Sequence, residues 1–177
     1  YTLSLHDALP ISHLLASLNN CETPFIEDIS QFAQLHDIGK INVADIFRLP
    51  RKLSPGEMNI VKNHAAYGGK MVKGLTGLEM AYNITHEHHE KWDGSGYPEG
   101  KQKEEISLEA RIVAIADVFD ALVSVRPYKK GFSYDRTRQI FEEGDGRVMP
   151  GHFDPKLLSL FLDNYDKFIK IHQTQLQ

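Results

Sequence analysis

The segment from Leu108 to Val125 constrains the fold most strongly, because it is the most apolar stretch of the chain and its apolar residues recur at helical spacing. Two carboxylates, Asp117 and Asp120, interrupt this stretch. An ionised carboxylate is costly to bury unless a cation or strong hydrogen bonds compensate its charge. A metal ion near Asp117 would supply that compensation. A structural ion pair with Arg111 or Lys129 is the alternative.

Helical spacing also dominates the rest of the chain, and no segment shows the alternation of a half-buried strand. The second helix should end at His36-Asp37, with Gly39 as its stop. The segment 90–106 is left as the one long irregular loop. The pattern predicts an all-α domain of six or seven helices: two within 13–40, others over 54–72, 78–90 and 108–125, and two more that begin at Ser133 and Asp154.

The size and composition of the chain favour a single domain, since 177 residues with 41% hydrophobic content can bury one core. The net charge of −4 gives no overall attraction to nucleic acid or to an anionic membrane. The lone Cys21 cannot form an internal disulfide, and no apolar run approaches the roughly 20 residues of a membrane-spanning helix. We therefore expect a cytoplasmic protein.

Residues 1–12 are expected to be non-native. Their codons can be written as the sequence of a common sequencing-library adapter, so that the reading frame would run from adapter into a gene fragment. On this interpretation the domain covers 13–177, and the His6-Asp7 pair has no functional meaning. An ordinary amphipathic N-terminal segment is the alternative.

Side chains that bind transition metals recur on four of the predicted helices. Imidazole nitrogens and carboxylate oxygens are donors that such metals accept. Each residue alone has an ordinary structural interpretation, but six donors on successive helices are hard to explain by packing. The six candidate metal ligands are His36, Asp37, His64, His88, His89 and Asp117.

A pair of metals about 3.5–4 Å apart can acidify a water and stabilise the charge that develops in phosphodiester cleavage. Such a pair needs a bridging carboxylate, and Asp37 is the best candidate because its neighbour His36 can bind one ion while the carboxylate reaches both. His88 and His89 diverge by about 100° on a helix, so they can share a cluster only at a helix end or by serving two metals. His64 is expected in the middle of its helix, beside small residues that allow close approach.

Together these motifs resemble the HD-GYP family of bacterial cyclic di-GMP phosphodiesterases, a branch of the HD metal-dependent phosphohydrolases. The resemblance covers about residues 13–165. It rests on the segments 35–40 (LHDIGK), 52–64, 88–98 (HHEKWDGSGYP), 110–122, 126–128 (RPY) and 153–155 (FDP).

The resemblance implies hydrolysis of cyclic di-GMP to linear pGpG, with onward cleavage to GMP left open, in bacterial signal transduction. It assigns metal binding to the six candidates above. Asp37 would orient or deprotonate the attacking water, and Lys40 would be the second catalytic residue. Lys40, Arg126 and Lys129 would contact phosphate, a role that suits the bidentate geometry of arginine. In the family the signature loop, here Gly96, Tyr97 and Pro98, shapes the rim of the site and is implicated in contacts with diguanylate cyclase domains.

Two divalent metal ions are implied as cofactors, and mixed imidazole and carboxylate ligands favour iron or manganese over zinc. Two other functions stay open. The chain could be a non-catalytic module that binds a cyclic dinucleotide or docks a cyclase domain, or an HD hydrolase of another nucleotide. Domains of this kind usually follow a receiver or sensor domain, which we expect to be lost here.

The chain departs from the family pattern at three places. A helix that carries further metal ligands in the family would fall near Ser4, inside the suspected adapter, so we expect the first helix to be missing and no third metal to bind. Val125 stands where an aspartate is usual. Lys101 and Lys103 replace the more usual leucine and glycine.

Overall fold

The computed structural model describes residues 8–47, 49, 51–125 and 130–175, and no strand occurs within these ranges. The prediction of an all-α fold is confirmed. Short 3₁₀ turns cover Ala33–Leu35, Ile38–Val43, Lys103–Glu105 and Pro150–His152. The α-helices are α1 (Ala8–Leu18), α2 (Thr23–Phe32), α3 (Ala44–Phe47), α4 (Pro55–Lys62), α5 (His64–Val72), α6 (Glu79–Glu87), α7 (Leu108–Val123), α8 (Tyr134–Glu143), α9 (Pro155–Asp163) and α10 (Tyr165–Gln175).

Helix α7 forms the centre of the core, as its apolar sequence predicts. Its Ile112, Ile115 and Phe119 are fully buried, and the Phe119 ring lies edge-on to that of Phe161 on α9 at 5.6 Å. Helix α1 packs on α2 and on α7, while α5 packs against α6 and the 3₁₀ turn 38–43. These contacts bring the regions that carry the candidate ligands to one side of α7. Among the described residues, no helix is long and apolar enough to cross a membrane.

Helix α1 begins inside the segment that is expected to be non-native. Ala8 and Ile11 are buried there, on the same face as Leu15, so residues 8–12 take part in the core. Their apolar side chains continue the helical face of the following residues, which is why they pack in this way. The adapter origin of 1–12 stays a prediction, and residues 1–7, with His6-Asp7, lie outside the described residues.

The predicted helix over 54–72 is divided into α4 and α5 at Asn63. Its start is as predicted, because Ser54 and Glu57 form a capping box in which each side chain bonds the backbone N–H of the other. His64 therefore begins α5, and its expected place in the middle of a helix is wrong. No glycine or proline lies within residues 57–67, so the sequence gave no signal for a break at Asn63.

Other helix boundaries lie close to their predicted places. The Ser133 hydroxyl accepts from the Arg136 N–H at the start of α8, and the Asp154 carboxylate accepts from two N–H groups at the start of α9. Asn164 separates α9 from α10. The described residues thus contain more helices than the predicted six or seven, because two predicted helices are interrupted at asparagines and the short α3 was not predicted.

Candidate metal centre

The His36-Asp37 pair lies in a tight turn between two 3₁₀ segments and not at the end of a regular helix. The role predicted for Gly39 as a helix stop is wrong, because it lies inside the 3₁₀ turn 38–43 with no left-handed backbone. Its function is close approach: a Cβ there would lie 2.0 Å from the His64 carbonyl oxygen and 2.5 Å from the Gly68 nitrogen. Gly39 thus lets the turn that carries Asp37 contact the helix that carries His64.

Asp37 lies at the centre of the candidate ligands and is 8% exposed. Its Oδ1 is 3.4 Å from Nε2 of His64 and 3.8 Å from Nε2 of His88. Its Oδ2 is 3.3 Å from Nε2 of His36. The two carboxylate oxygens therefore face different imidazoles.

The histidines around Asp37 are oriented by backbone carbonyls. Nδ1 of His36 donates to the Ala33 oxygen at 2.7 Å, and Nδ1 of His64 donates to the Val61 oxygen at 2.8 Å. Nδ1 of His88 donates to the Ile84 oxygen at 3.0 Å. Because a carbonyl can only accept, each Nδ1 carries a proton, so that in the neutral form of each ring Nε2 has a lone pair directed inward. A backbone carbonyl that holds the other ring nitrogen in this way is typical of metal-binding histidines.

His88 and His89 follow the last residue of α6, so they lie at a helix end, the first of the two arrangements that the sequence allowed. Their ring centroids are 4.0 Å apart, and Nε2 of His88 lies 3.3 Å from Nε2 of His64. Potential ligand atoms of Asp37, His64, His88 and His89 all lie within 4.8 Å of one another. These four side chains form a group that could hold a metal ion.

Asp117 joins this group from α7 through His36, whose Nε2 lies 3.8 Å from Asp117 Oδ1. The expected deep burial of Asp117 is wrong, since its side chain is 26% exposed at the edge of the core. The buried aspartate of α7 is Asp120, which is 4% exposed and accepts a hydrogen bond from the Ser124 hydroxyl. Arg111 pairs with Asp154 at 2.6 Å, so the alternative of an ion pair between Arg111 and Asp117 or Asp120 is not observed.

Burial and mutual contact shift the pKa values in the centre in opposite directions. Burial alone would lower the pKa of His36, but the hydrogen bond and charge of Asp37 raise it to about 9. Burial would raise the pKa of Asp37, but hydrogen bonds from His36 and His64 lower it well below its usual range. Burial lowers the pKa values of His88 and His89, and each is lowered further by a neighbouring imidazole. The ionised carboxylate of Asp37, with the neutral imidazoles of His88 and His89 beside it, can bind a cation.

The basic residues predicted to contact phosphate are only partly described. Lys40 lies in the 3₁₀ turn after Asp37, and its ammonium donates to Asp37 Oδ2, so it lies at the centre itself. Arg126 and Lys129 lie outside the described residues, as does the alternative ion pair with Lys129.

The signature loop packs against the histidine pair. The Tyr97 N–H donates to the His89 carbonyl at 3.1 Å, and the two rings lie 4.8 Å apart. Burial raises the pKa of Tyr97. A Cβ on Gly96 would lie 2.4 Å from the Lys91 nitrogen, so only glycine fits there. Gly96, Tyr97 and Pro98 therefore form one wall beside His89, although sequence reasoning without the family described them only as a turn.

Two buried carboxylates beside the histidine pair were not predicted. Glu87 and Glu90 are each 3% exposed. Glu90 Oε1 accepts from the backbone N–H groups of Glu99 at 2.7 Å and Gly100 at 3.2 Å. Glutamates are usually exposed, so the residue type gave no sign that these two are buried. The only sequence feature that pointed to them was their position on either side of His88-His89.

A family model described as an HD domain matches residues 7–157. The chain belongs to the HD domain family. Curated relatives confirm the resemblance to its HD-GYP branch. A cyclic di-GMP phosphodiesterase of Vibrio cholerae is 41% identical over 155 residues, which are 83% of this chain and 31% of that protein. A 3′3′-cGAMP-specific phosphodiesterase 2 of the same organism is 40% identical over 81% of this chain and 27% of its own length.

The HD domain chain thus spans about a third or less of these curated relatives. A crystal structure of a cyclic GMP-AMP specific phosphodiesterase of V. cholerae has the same fold, with a TM-score of 0.64 over 94% of this chain and 44% of that one, at 19% identity. The family and the buried histidine and aspartate group are compatible with a divalent metal site.

Proposed function

We propose that this HD domain is a metal-dependent phosphodiesterase that hydrolyses cyclic di-GMP to linear pGpG, with GMP as a further product left open. One observation carries the proposal. The Nε2 atoms of His36, His64 and His88 converge on the two oxygens of Asp37, while their Nδ1 atoms are tied to backbone carbonyls. Two imidazole lone pairs 3.3 Å apart, as at His64 and His88, repel each other unless a proton or a metal cation lies between them.

The donor set supports two metal sites that share Asp37. His64 and His88 lie on the Oδ1 side, with His89 in the same group, and His36 with Asp117 lies on the Oδ2 side. Mixed nitrogen and oxygen donors favour iron or manganese. When bound, such ions supply Lewis acidity, which lowers the pKa of water and neutralises phosphate charge.

The protein's own residues would perform the remaining tasks. Asp37 would orient the attacking water as a hydrogen-bond acceptor, because its carboxylate is ionised and lies at the centre of the donors. Lys40 would pair with the phosphate and reduce its negative charge. Arg126 and Lys129 would contact phosphate, a role that rests on the family resemblance alone.

The signature loop would form the rim of the site, since Tyr97 covers His89. Docking of diguanylate cyclase domains on this loop belongs to the same proposal and rests on the resemblance. A cytoplasmic location, expected from the lone cysteine and the short apolar runs, and an upstream receiver or sensor domain, implied by the resemblance, belong to the same proposal.

A second substrate has specific support. The relative named as a 3′3′-cGAMP-specific phosphodiesterase is nearly as similar to this chain as the one named for cyclic di-GMP. Both substrates present the same phosphodiester to the metal centre, so the difference would lie in recognition of one base. A non-catalytic binding module would show affinity for either dinucleotide without product.

The test is turnover of cyclic di-GMP and 3′3′-cGAMP by the Mn²⁺-loaded protein, with His36→Ala and His13→Ala compared with wild type. His13 is an exposed histidine on α1 that bonds Ser30 and lies outside the candidate group, so it controls for loss of an imidazole. We expect pGpG from wild type and from His13→Ala and none from His36→Ala. Equal turnover by wild type and His36→Ala would refute the proposal.

A further inference from the structure

We propose that Glu87 and Lys101 form a buried ion pair that positions His88-His89 and the signature loop for metal binding. This inference rests on the proposed function of the metal centre and concerns residues that the family resemblance does not assign. Lys101 is one of the positions where the chain departs from the family pattern, which has leucine there.

Glu87 joins three segments of the chain at one carboxylate. It is the last residue of α6, directly before the histidine pair. Its Oε1 accepts from Nζ of Lys101 at 2.5 Å, and its Oε2 accepts from the backbone N–H of Ser107 at 2.8 Å. Ser107 is the N-cap of α7, the helix that carries Asp117. Both oxygens are therefore engaged, one by the returning arm of the loop and one by the start of the central helix.

The segment between the two partners contains the metal-binding and rim residues. His88 and His89 directly follow Glu87, and Tyr97 lies four residues before Lys101 and bonds the His89 carbonyl. Glu90 holds the same arm of the loop through the N–H groups of Glu99 and Gly100. The Glu87–Lys101 contact thus closes the base of the loop that carries His88, His89 and Tyr97.

Burial makes this ion pair sensitive to the loss of one partner. The Glu87 side chain is 4% exposed and that of Lys101 is 29% exposed. Partial burial alone would lower the pKa of Lys101, but the Glu87 carboxylate raises it. Removal of the ammonium would leave a buried carboxylate without a cation, which is far more costly than removal of both charges. Glu99 lies 3.7 Å from the same ammonium, but its side chain is 52% exposed.

A displaced Glu87 would disturb the metal centre in a defined way. Its side chain would turn toward water, which would pull the end of α6 away from Ser107 and rotate His88 and His89 out of register with Asp37. Lys101 is therefore a positioning residue, which acts on the metal through Glu87 and the histidine pair. Removal of Lys101 should therefore weaken metal binding. The decrease in metal affinity should be larger than the decrease in folding stability can explain.

The experiment measures Mn²⁺ affinity by calorimetric titration of the metal-free chain, together with its free energy of unfolding in urea. The variants are Lys101→Met, Lys101→Arg and the double variant Glu87→Gln/Lys101→Met. Lys156→Met, an exposed lysine on α9, is the matched control. We expect Lys101→Met to bind Mn²⁺ about 10- to 100-fold more weakly, the usual effect of losing a residue that holds a metal ligand in place. Lys101→Arg and Lys156→Met should retain affinity, and the double variant should recover part of the loss because no buried charge is left unpaired.

Two results would overturn the inference while leaving the proposed function intact. Lys101→Met could bind Mn²⁺ as tightly as wild type, or the double variant could bind more weakly than Lys101→Met. If Lys101→Met does not fold, the double variant decides: near wild-type affinity supports the ion pair, and lost affinity refutes it. A wild-type chain that does not bind Mn²⁺ would refute the proposed function and this inference together.

Discussion

Substitution of Gly39 by alanine should separate the two segments that form the centre. The added Cβ would lie 2.0 Å from the His64 carbonyl oxygen and 2.5 Å from the Gly68 nitrogen, whereas ordinary contacts between heavy atoms lie near 3.5–4.0 Å. Both neighbours are backbone atoms, so no side chain can rotate away. The turn that carries Asp37 must therefore move away from α5, and His64 on α5 moves away from Asp37.

The cost can be estimated from these distances. Overpacked sites lose about 1–3 kcal/mol, and a clash with two backbone atoms places Gly39→Ala at the upper end, about 3 kcal/mol. For a domain of this size, that loss lowers Tm by about 6–12 °C. Because the shift opens the distance between Asp37 and His64, metal affinity should fall as well.

Gly56→Ala is the matched control for this substitution. Gly56 lies in the first turn of α4, and nothing lies within 4 Å of the Cβ that alanine would add. Gly56→Ala should raise the free energy of unfolding by about 0.5–1 kcal/mol, since alanine restricts the unfolded chain. Urea unfolding followed by circular dichroism measures both variants. Equal stabilities of Gly39→Ala and Gly56→Ala would refute the close approach.

Two further predictions concern local backbone chemistry. Lys103 has a φ of 50°, where the family pattern has glycine, so Lys103→Gly should be at least as stable as wild type in urea, and Lys103→Val should be less stable by about 1 kcal/mol or more. A less stable Lys103→Gly would contradict this. Ser54→Ala should cost about 1 kcal/mol because it removes a capping box, whereas Ser107→Ala should cost little because Ser107 makes no side-chain cap bond. Equal losses in the free energy of unfolding for Ser54→Ala and Ser107→Ala would show that the capping bond does not cause the destabilisation.

Features with a local cause could be predicted from the sequence. The start of α4 at Ser54 and that of α9 at Asp154 follow from capping chemistry that lies within four residues. The place of His88 and His89 at a helix end is one of the two arrangements that the angle between adjacent helical residues allows, the other being service to two metals.

Features set by contacts between distant segments could not be predicted. The close approach of Gly39 to His64 depends on how two elements pack, so the glycine resembled a helix stop. The partial exposure of Asp117 depends on the depth of α7 in the core, which periodicity does not give. The pairing of Glu87 with Lys101 spans 14 residues and a loop, and each residue alone resembles an exposed charge.

The metal content of the purified chain tests the central claim most directly. Asp37→Asn keeps the size of the side chain but removes the charge that faces both groups of histidines, and Asp28→Asn on α2 is the matched control. After loading with Mn²⁺ and desalting, wild type and Asp28→Asn should hold two ions per chain, and Asp37→Asn should hold almost none. An Asp37→Asn chain that retains the same metal content as wild type would contradict the shared centre.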